Sequence, residues 1–380
     1  MSDAPEVSVV LPCLNEVKTV GRCVEKAMRA FEASGLRGEV VVSDNGSTDG
    51  SQDIAAKAGA RVVHAARRGY GSAYLHGIAE ARAPIIVMAD SDDTYDLGET
   101  PRLVAKLREG YDMVLASRLR GNIMPGAMPW LHRYVGNPIL TGVLNLLFGL
   151  RVSDAHTGMR AFTREAYDRL SLRTTGMEFA SEMIVAAAQA RLRIAETPIT
   201  YYPREGESKL DTWRDGWRHL RYLLLRSPTA LFIAPGAVMM SLGWLPLIAL
   251  ERGPLTLGGF FFDFHYMIVG SALALLGLQT LLLGLQGKGY LVARGLDRRD
   301  ALIDWLQTHV TLERGLLLGL ILLAIGFGVG LNIFLVWAQH NFANINELRR
   351  GLLALTLSVS GTQIMFSSLF LSLLDIQVRE

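Results

Sequence analysis

Apolar residues fall along this chain in two regimes. Up to about residue 116 they come as short runs separated by polar, glycine-containing turns; beyond residue 226 they come as long unbroken stretches. In the first regime, residues 7–11, 39–43, 60–64, 85–89 and 112–116 predict strands. Continuous Val/Ile runs of this length suit parallel strands buried on both faces. Helical spacing predicts helices over 17–34, 52–58, 70–81 and 101–109. Such alternation reads as an open α/β sheet, which binds ligands beyond the carboxyl ends of its strands.

In the second regime, residues 229–250, 264–286, 315–337 and 351–374 each reach the roughly 20 apolar residues needed to cross a bilayer. None of these stretches holds a Lys, Arg, Asp or Glu. Lys288, Arg294, Arg298, Arg299 and Arg314 lie between the second and third, against Arg252 alone in the first outer loop and Arg349 and Arg350 at the edge of the other. The positive-inside rule then places the middle loop and both termini in the cytoplasm. Residues 1–6 are polar, and the run 7–11 is too short for a signal-peptide core, so the N-terminal domain is expected to be cytoplasmic. Gly315 with Gly319, and Gly326 with Gly330, would allow close helix approach within one chain or between copies in a homo-oligomer. Ser358, Ser360, Thr362, Gln363, Ser367 and Ser368 in the last stretch suit interhelical packing better than conduction, with no Lys, Arg, Asp or Glu in any span. Just upstream, residues 211–226 place Trp213, Trp217, Leu220, Leu223 and Leu224 at helical spacing, with Arg214, Arg218, Arg221 and Arg226 interleaved. This predicts an amphipathic helix on the inner leaflet; the alternative is a surface helix docked on the soluble domain.

Charge sharpens the division. Lys and Arg total 38 against 36 Asp and Glu, a net +2 that argues against a nucleic-acid partner. Residues 1–226 hold 29 of the basic and 27 of the acidic side chains, so a soluble domain precedes a membrane domain. The two cysteines, Cys13 and Cys23, support no disulfide framework and read as small core residues in a reducing setting.

Candidate chemistry gathers where the strands end. Pro12, Asn15 and Glu16 follow the first, the run from Asp44 to Gly50 the second, and the run from Asp90 to Asp96 the fourth. Any one of these alone could be a turn and helix cap; three at one sheet edge mark a ligand site. Asp90, Asp92, Asp93 and Asp96 would repel one another unless a cation or hydrogen bonds offset their charge. Oxygen-only ligands on a short loop suit Mg²⁺ or Mn²⁺ held together with substrate phosphates; the alternative is a solvated acidic loop. Gly69 and Gly71 lack the third glycine of a dinucleotide fingerprint, and no Walker lysine motif occurs, which excludes NAD enzymes and P-loop NTPases. Arg118 follows the fifth strand at the ligand edge, where guanidinium suits phosphate. His156 reads as a structural, hydrogen-bonded histidine, Met177 and Phe179 as packing residues, and Glu178 and Glu182 either as sugar-hydroxyl contacts or as solvated carboxylates.

As an ordered set, PxxNE at residues 12–16, the Asp44/GSTDG block, Asp90-Ser91-Asp92, Ser117-Arg118, Ser153-Asp154 with GMRAF at 158–162, GMEFASEM at 176–183 and PREGESK at 203–209 resemble glycosyltransferase family 2. More narrowly, they resemble its membrane-anchored polyprenyl-phosphate (dolichyl-phosphate) glycosyltransferases. The resemblance covers roughly residues 7–226. It implies an α/β GT-A fold, a Rossmann-like open sheet, over residues 1–210, then the interfacial helix 211–226 and a four-helix transmembrane bundle over 227–380. It also implies that Pro12, Asn15, Glu16, Asp44 and Gly69 bind the nucleotide, and that Asp90 and Asp92 hold the nucleotide and a Mg²⁺ or Mn²⁺ ion. Arg118, Arg133 and Asn137 would face the acceptor phosphate, Asp154 the transferred sugar, and Arg204 and Lys209 the donor phosphates. Two positions depart from the pattern: Thr94 stands where many relatives have Gln, and Asn137 where relatives can carry Ser. The implied reaction is inverting transfer of a hexose from UDP-glucose or GDP-mannose to undecaprenyl or dolichyl phosphate at the cytoplasmic face. A processive polysaccharide synthase is the competing reading, but the QxxRW motif typical of such enzymes does not occur. A lipid-sugar flippase role for the spans is a third, weakened by their lack of charge.

Overall fold

Strand β1 (Val7–Cys13) takes up the first apolar run and lies near the centre of a seven-stranded sheet, with β2 (Gly38–Asp44) and β4 (Ile85–Met88) parallel on either side. The computed structural model describes residues 4–205, 212–295, 304–305, 308–309 and 311–375. β3 (Arg61–His64) pairs parallel with β2, and the order across the sheet is β3-β2-β1-β4-β6-β5-β7. All five expected strands form. β5 runs on from Met113 to Ile123, because a register shift between Ser117 and Asn122 lets it keep pairing with β7 (Ile194–Tyr201). The sheet is mixed, not wholly parallel: β6 (Arg160–Thr163) runs antiparallel to both neighbours. Four residues that include a buried arginine give no strand periodicity, and β7 carries Pro198 inside it, so neither strand shows in the apolar pattern.

Both faces of the sheet are covered, which accounts for the continuous Val/Ile runs. Val7, Val9 and Leu11 pack beneath α1 (Val20–Ser34) and α4 (Thr100–Arg108). Val10, Ile86 and Met88 pack beneath α3 (Tyr70–Glu80) and α7 (Phe179–Gln189). Cys13 and Cys23 are buried in the first of these cores, as expected. Short helices α2 (Ser51–Lys57) and α6 (Arg164–Asp168), with α5 (Asn137–Phe148) and α8 (Thr212–Leu225), complete this unit, which spans Met1–Leu225. Helix α8 packs against α5 and α7, with Leu223 fully buried, while Trp213 is 80% and Trp217 58% exposed. The helix thus has two apolar stripes, and Leu223 belongs to the inward one, not with the tryptophans.

Residues Arg226–Glu380 form a second unit. Its helices are α9 (Ala234–Ala249), entered through a π-helical turn at Thr229–Ile233, α10 (Phe264–Ala293), α11 (Leu312–Gln339) and α12 (Leu348–Asp375). All four spans, from Thr229–Ala249 to Leu348–Leu374, are long and apolar enough to cross a bilayer. α9 packs on α10, α11 on α12, and Ser271 of α10 hydrogen-bonds Thr356 of α12 at 2.7 Å. Between α9 and α10 a hairpin pairs β8 (Leu255–Leu257) with β9 (Phe260–Phe262). Lys288, expected in a loop, lies within α10, where its Nζ donates to Thr229 Oγ1 at 3.0 Å. A 30-residue helix is about 45 Å long and outruns the hydrocarbon core, so its last turns can carry charge. Arg298 and Arg299 lie outside the described residues.

Candidate active site

The loops that leave β1, β2 and β4 meet at one edge of the sheet. The β1 and β2 loops are stitched together: Asn15 Oδ1 accepts from Thr48 N at 2.9 Å, Asn15 N donates to Ser47 Oγ at 2.9 Å, and Glu16 N donates to Ser51 Oγ at 2.9 Å. Asn15 adopts φ +53°, a left-handed conformation that Asn tolerates. Asp44 is almost fully buried and accepts hydrogen bonds from Gly46 N, Ser47 N and Gln52 Nε2. Burial pushes its carboxyl up, but these hydrogen bonds outweigh it and hold the pKa below the ordinary value. Pro12 O accepts from Ser91 Oγ at 2.6 Å, which ties the first loop to the acidic one.

The acidic loop sorts its four carboxylates. Asp93 turns to α1, 2.7 Å from Lys26 Nζ, and Asp96 caps a 3-10 turn by accepting from Gly98 N. Asp90 and Asp92 remain for the site. Asp92 Oδ1 accepts from Thr94 N and from Thr94 Oγ1 at 2.6 Å, so the residue that departs from the family pattern orients this carboxylate. Asp92 Oδ2 faces Arg204 Nη1 at 3.3 Å, and Arg204 Nη2 donates to Glu16 at 2.6 Å. Asp90 Oδ1 accepts from the phenols of Tyr70 at 3.0 Å and Tyr74 at 3.3 Å. Desolvation, then the charge of Asp92, push the Asp90 carboxyl up to about 6, against the pull of those phenols.

Gly69 opens α3 beside this loop. Its φ of +135° and the Thr175 carbonyl, 2.2 Å from where a Cβ would sit, admit only glycine, and its N–H donates to Asn45 Oδ1 at 2.7 Å. Asn45 also donates to Ala65 O and Arg67 O, fixing the approach to Gly69.

On the other side of Asp90, Arg118 and Asp154 form a buried bidentate pair. Nε–Oδ2 and Nη2–Oδ1 are both 2.8 Å, and Arg118 N adds a third bond to Oδ2 at 3.0 Å. Burial works against the Arg118 charge, but Asp154 outweighs it and holds the guanidinium protonated. The guanidinium also lies 5.3 Å from the Tyr201 ring centre. Asp154, expected beside the sugar, is fully buried, and both its carboxylate oxygens accept from Arg118. Arg133 and Asn137, four residues apart on one helical stretch, are only half-buried; Arg133 lies over Tyr134, and Asn137 meets Met128 Sδ. Lys209 lies outside the described residues.

Several residues to which the sequence assigns no individual role shape the site. Tyr70 and Tyr74 hold Asp90, Tyr95 Oη accepts from Gly158 N at 2.7 Å, and fully buried Arg160 donates to the carbonyls of Ala155, Thr157 and Ala180. Their partners are 3 to 63 residues away, so spacing carries little signal for them. Glu182 is structural: it accepts from Arg173 N, Thr174 N and Thr174 Oγ1. Phe179 is buried and stacked on Tyr74, as expected of a packing residue.

Among the described residues, no three His, Cys, Asp or Glu side chains converge on a metal-sized site. Two neighbouring carboxylates, one of them already facing a cation, fit an ion that takes its remaining ligands from substrate phosphate and water.

Comparison with known proteins agrees with this architecture. Residues 8–171 match the family described as Glycosyl transferase family 2, and residues 285–375 match the Glycosyltransferase family 2 C-terminal transmembrane region. The low-salt glycan biosynthesis hexosyltransferase of Haloferax volcanii is 42% identical over 370 residues, covering 97% of this chain and 89% of that protein. A dolichyl-phosphate hexose transferase of the same organism is 36% identical over 214 residues, 56% of this chain and 89% of its own. Glucosyl-3-phosphoglycerate synthase from Mycobacterium tuberculosis shares the fold, with a TM-score of 0.50 at 24% identity over 59% of this chain and 80% of that one. The chain therefore belongs to glycosyltransferase family 2, as a GT-A enzyme whose catalytic domain is followed by that family's transmembrane region.

Proposed function

We propose that the protein transfers one hexose from a nucleotide sugar, UDP-glucose or GDP-mannose, to polyprenyl phosphate, with inversion at the anomeric carbon. The observation that carries this reading is the pairing of two opposite charge sets at one sheet edge: Asp90 and Asp92 on one loop, and Arg118, locked by Asp154, beside them. A similarity in sequence to a dolichyl-phosphate hexose transferase supports the same acceptor class.

A phosphate monoester has a second pKa of about 6 and is largely dianionic at pH 7, so the nucleophile needs no general base. The protein's part is alignment and charge balance. Arg118 presents a fixed cation, and Arg133 and Asn137 line the acceptor side. Pro12, Asn15, Glu16, Asp44 and Gly69 shape the nucleotide cradle. Arg204, which bridges Glu16 and Asp92, turns to the donor diphosphate when it binds, joined by Lys209. Bound with the donor, Mg²⁺ or Mn²⁺ would neutralise diphosphate charge, and Asp90 and Asp92 are the residues that would hold it.

Residues 1–210 are assigned as the cytoplasmic catalytic domain, 211–226 as an interfacial helix and 227–380 as the membrane domain, with both termini cytoplasmic. Exposed Trp130, Tyr134, Ile139 and Leu146 around α5, and Trp213 and Trp217 on the adjoining α8, support a bilayer-facing side on the catalytic unit.

The test is incubation of the detergent-purified protein and Mg²⁺ or Mn²⁺ with UDP- and GDP-sugars and undecaprenyl or dolichyl phosphate, read by mass spectrometry of the organic extract. A lipid-phosphate hexose is expected, and it should disappear with Asp92→Ala. A water-soluble polymer would favour the processive reading instead.

A further inference from the structure

Two residues beyond Asp154, three polar side chains, one from a loop and two from helices, converge on a single hydroxyl. His156, two residues after Asp154, places Nε2 3.1 Å from Ser181 Oγ on α7. The same hydroxyl lies 2.8 Å from Nδ1 of His219 on α8. The two imidazoles are edge to face with centres 4.8 Å apart. Ser181 is fully buried; Met183, Ile184 and Leu223 belong to the same apolar core, and the charged groups that act on His219 are Asp215, Glu178 and Arg160.

One hydroxyl between two imidazoles has one proton to donate. If it donates to one ring it must accept from the other, so the tautomers and orientations of the two histidines are linked. Burial keeps both rings neutral at pH 7, so the ring that takes the hydroxyl proton has a bare nitrogen to accept it. The His156 ring depends on the chain unusually strongly, because its Nδ1 is buried with no hydrogen-bond partner among the described residues. Its orientation is therefore set through Nε2 by Ser181, whose own rotamer is set by His219.

Resting on the transfer reaction proposed above, we propose that His219 is a positioning residue for that reaction: from α8, through Ser181 and His156, it fixes the loop that carries Asp154 and so aims Arg118. Only three residues separate the end of α8 from the first span at Thr229. The joint therefore gives the juxtamembrane helix a direct hold on the acceptor side of the site.

The test compares wild type with His219→Ala and His219→Asn, the second of which keeps a polar atom near the position of Nδ1. Full-length protein is read by steady-state transfer, nucleotide binding by calorimetry, and hydrogen exchange over residues 153–158. His219→Ala is expected to lower kcat about tenfold, leave the nucleotide Kd unchanged, and speed exchange of the 153–158 amides. His219→Asn should restore most of both. Wild-type kcat and exchange in His219→Ala would overturn the proposal, and so would an equal loss of nucleotide binding that His219→Asn does not rescue. Should wild type transfer no sugar to any acceptor, the functional reading fails by itself, while the exchange measurement still decides whether His219 holds the Asp154 loop.

Discussion

Removing the Asp154 carboxylate would leave the Arg118 guanidinium buried beside Tyr201 without its counter-charge, a change that typically costs about 3–5 kcal/mol. Asp154→Ala should therefore unfold at lower temperature and lose transfer together. The double variant Arg118→Met with Asp154→Leu is expected to regain stability, because no lone charge is left, yet to stay inactive. Thermal unfolding and turnover, measured on the three proteins, separate the two effects. His219 supplies a pH prediction. Burial pushes its pKa down to about 4, with Asp215 and Glu178 pulling it back up and Arg160 pushing it further down. The unfolded chain takes this proton below about 6.5 and the folded one only below about 4. Stability from this residue is therefore complete above pH 6.5 and falls as pH drops to 4, by about 3 kcal/mol. Thermal unfolding of wild type and His219→Asn between pH 7 and 4.5 should show a steeper decline in wild type. At this scale the sequence was legible where charge density itself was the signal, as at Asp90 and Asp92. It assigned no individual role to Tyr70, Tyr74, Asn45 and Arg160, whose importance lies in partners brought close only by the fold.

Strands β1, β2 and β4 were readable because burial on both faces demands unbroken Val and Ile, and their runs stand out against polar loops. β6 was not, because four residues flanked by antiparallel neighbours need no periodicity, and β7 interleaves Thr and Pro198 with its apolar positions. Helix α8 was readable as amphipathic, but its second stripe was not, since nothing local says that Leu223 faces protein while Trp213 does not. The membrane glycines divide in a similar way. A Cβ on Gly319 would meet Met365 at 2.4 Å and the Gly361 carbonyl at 2.6 Å, whereas one on Gly328 or Gly330 would meet nothing within 4 Å. Of the two small-residue pairs in the sequence, Gly315 with Gly319 lies in the α11–α12 contact, while in the other only Gly326 does. Gly319→Val is expected to pry α11 from α12 and lower the temperature of aggregation in detergent; Gly328→Val should leave it near wild type. Size-exclusion profiles after stepped heating would distinguish them.

For the whole molecule, the assigned topology predicts which side of the membrane each loop occupies. With Arg252→Cys in the first connection and Arg294→Cys at the end of α10, an impermeant maleimide applied to intact cells should label the first variant and spare the second until the membrane is opened. The opposite pattern would invert the assigned orientation. The burial of both natural cysteines gives this experiment its clean background. Cys13, at the end of β1, and Cys23, on the inward face of α1, lie in one core, and desolvation raises both thiols, Cys23 to about 12, leaving almost no thiolate at neutral pH. Toward alkylating reagents the folded protein is thus effectively cysteine-free, so a single introduced thiol can carry a probe to any chosen surface without first stripping the native ones.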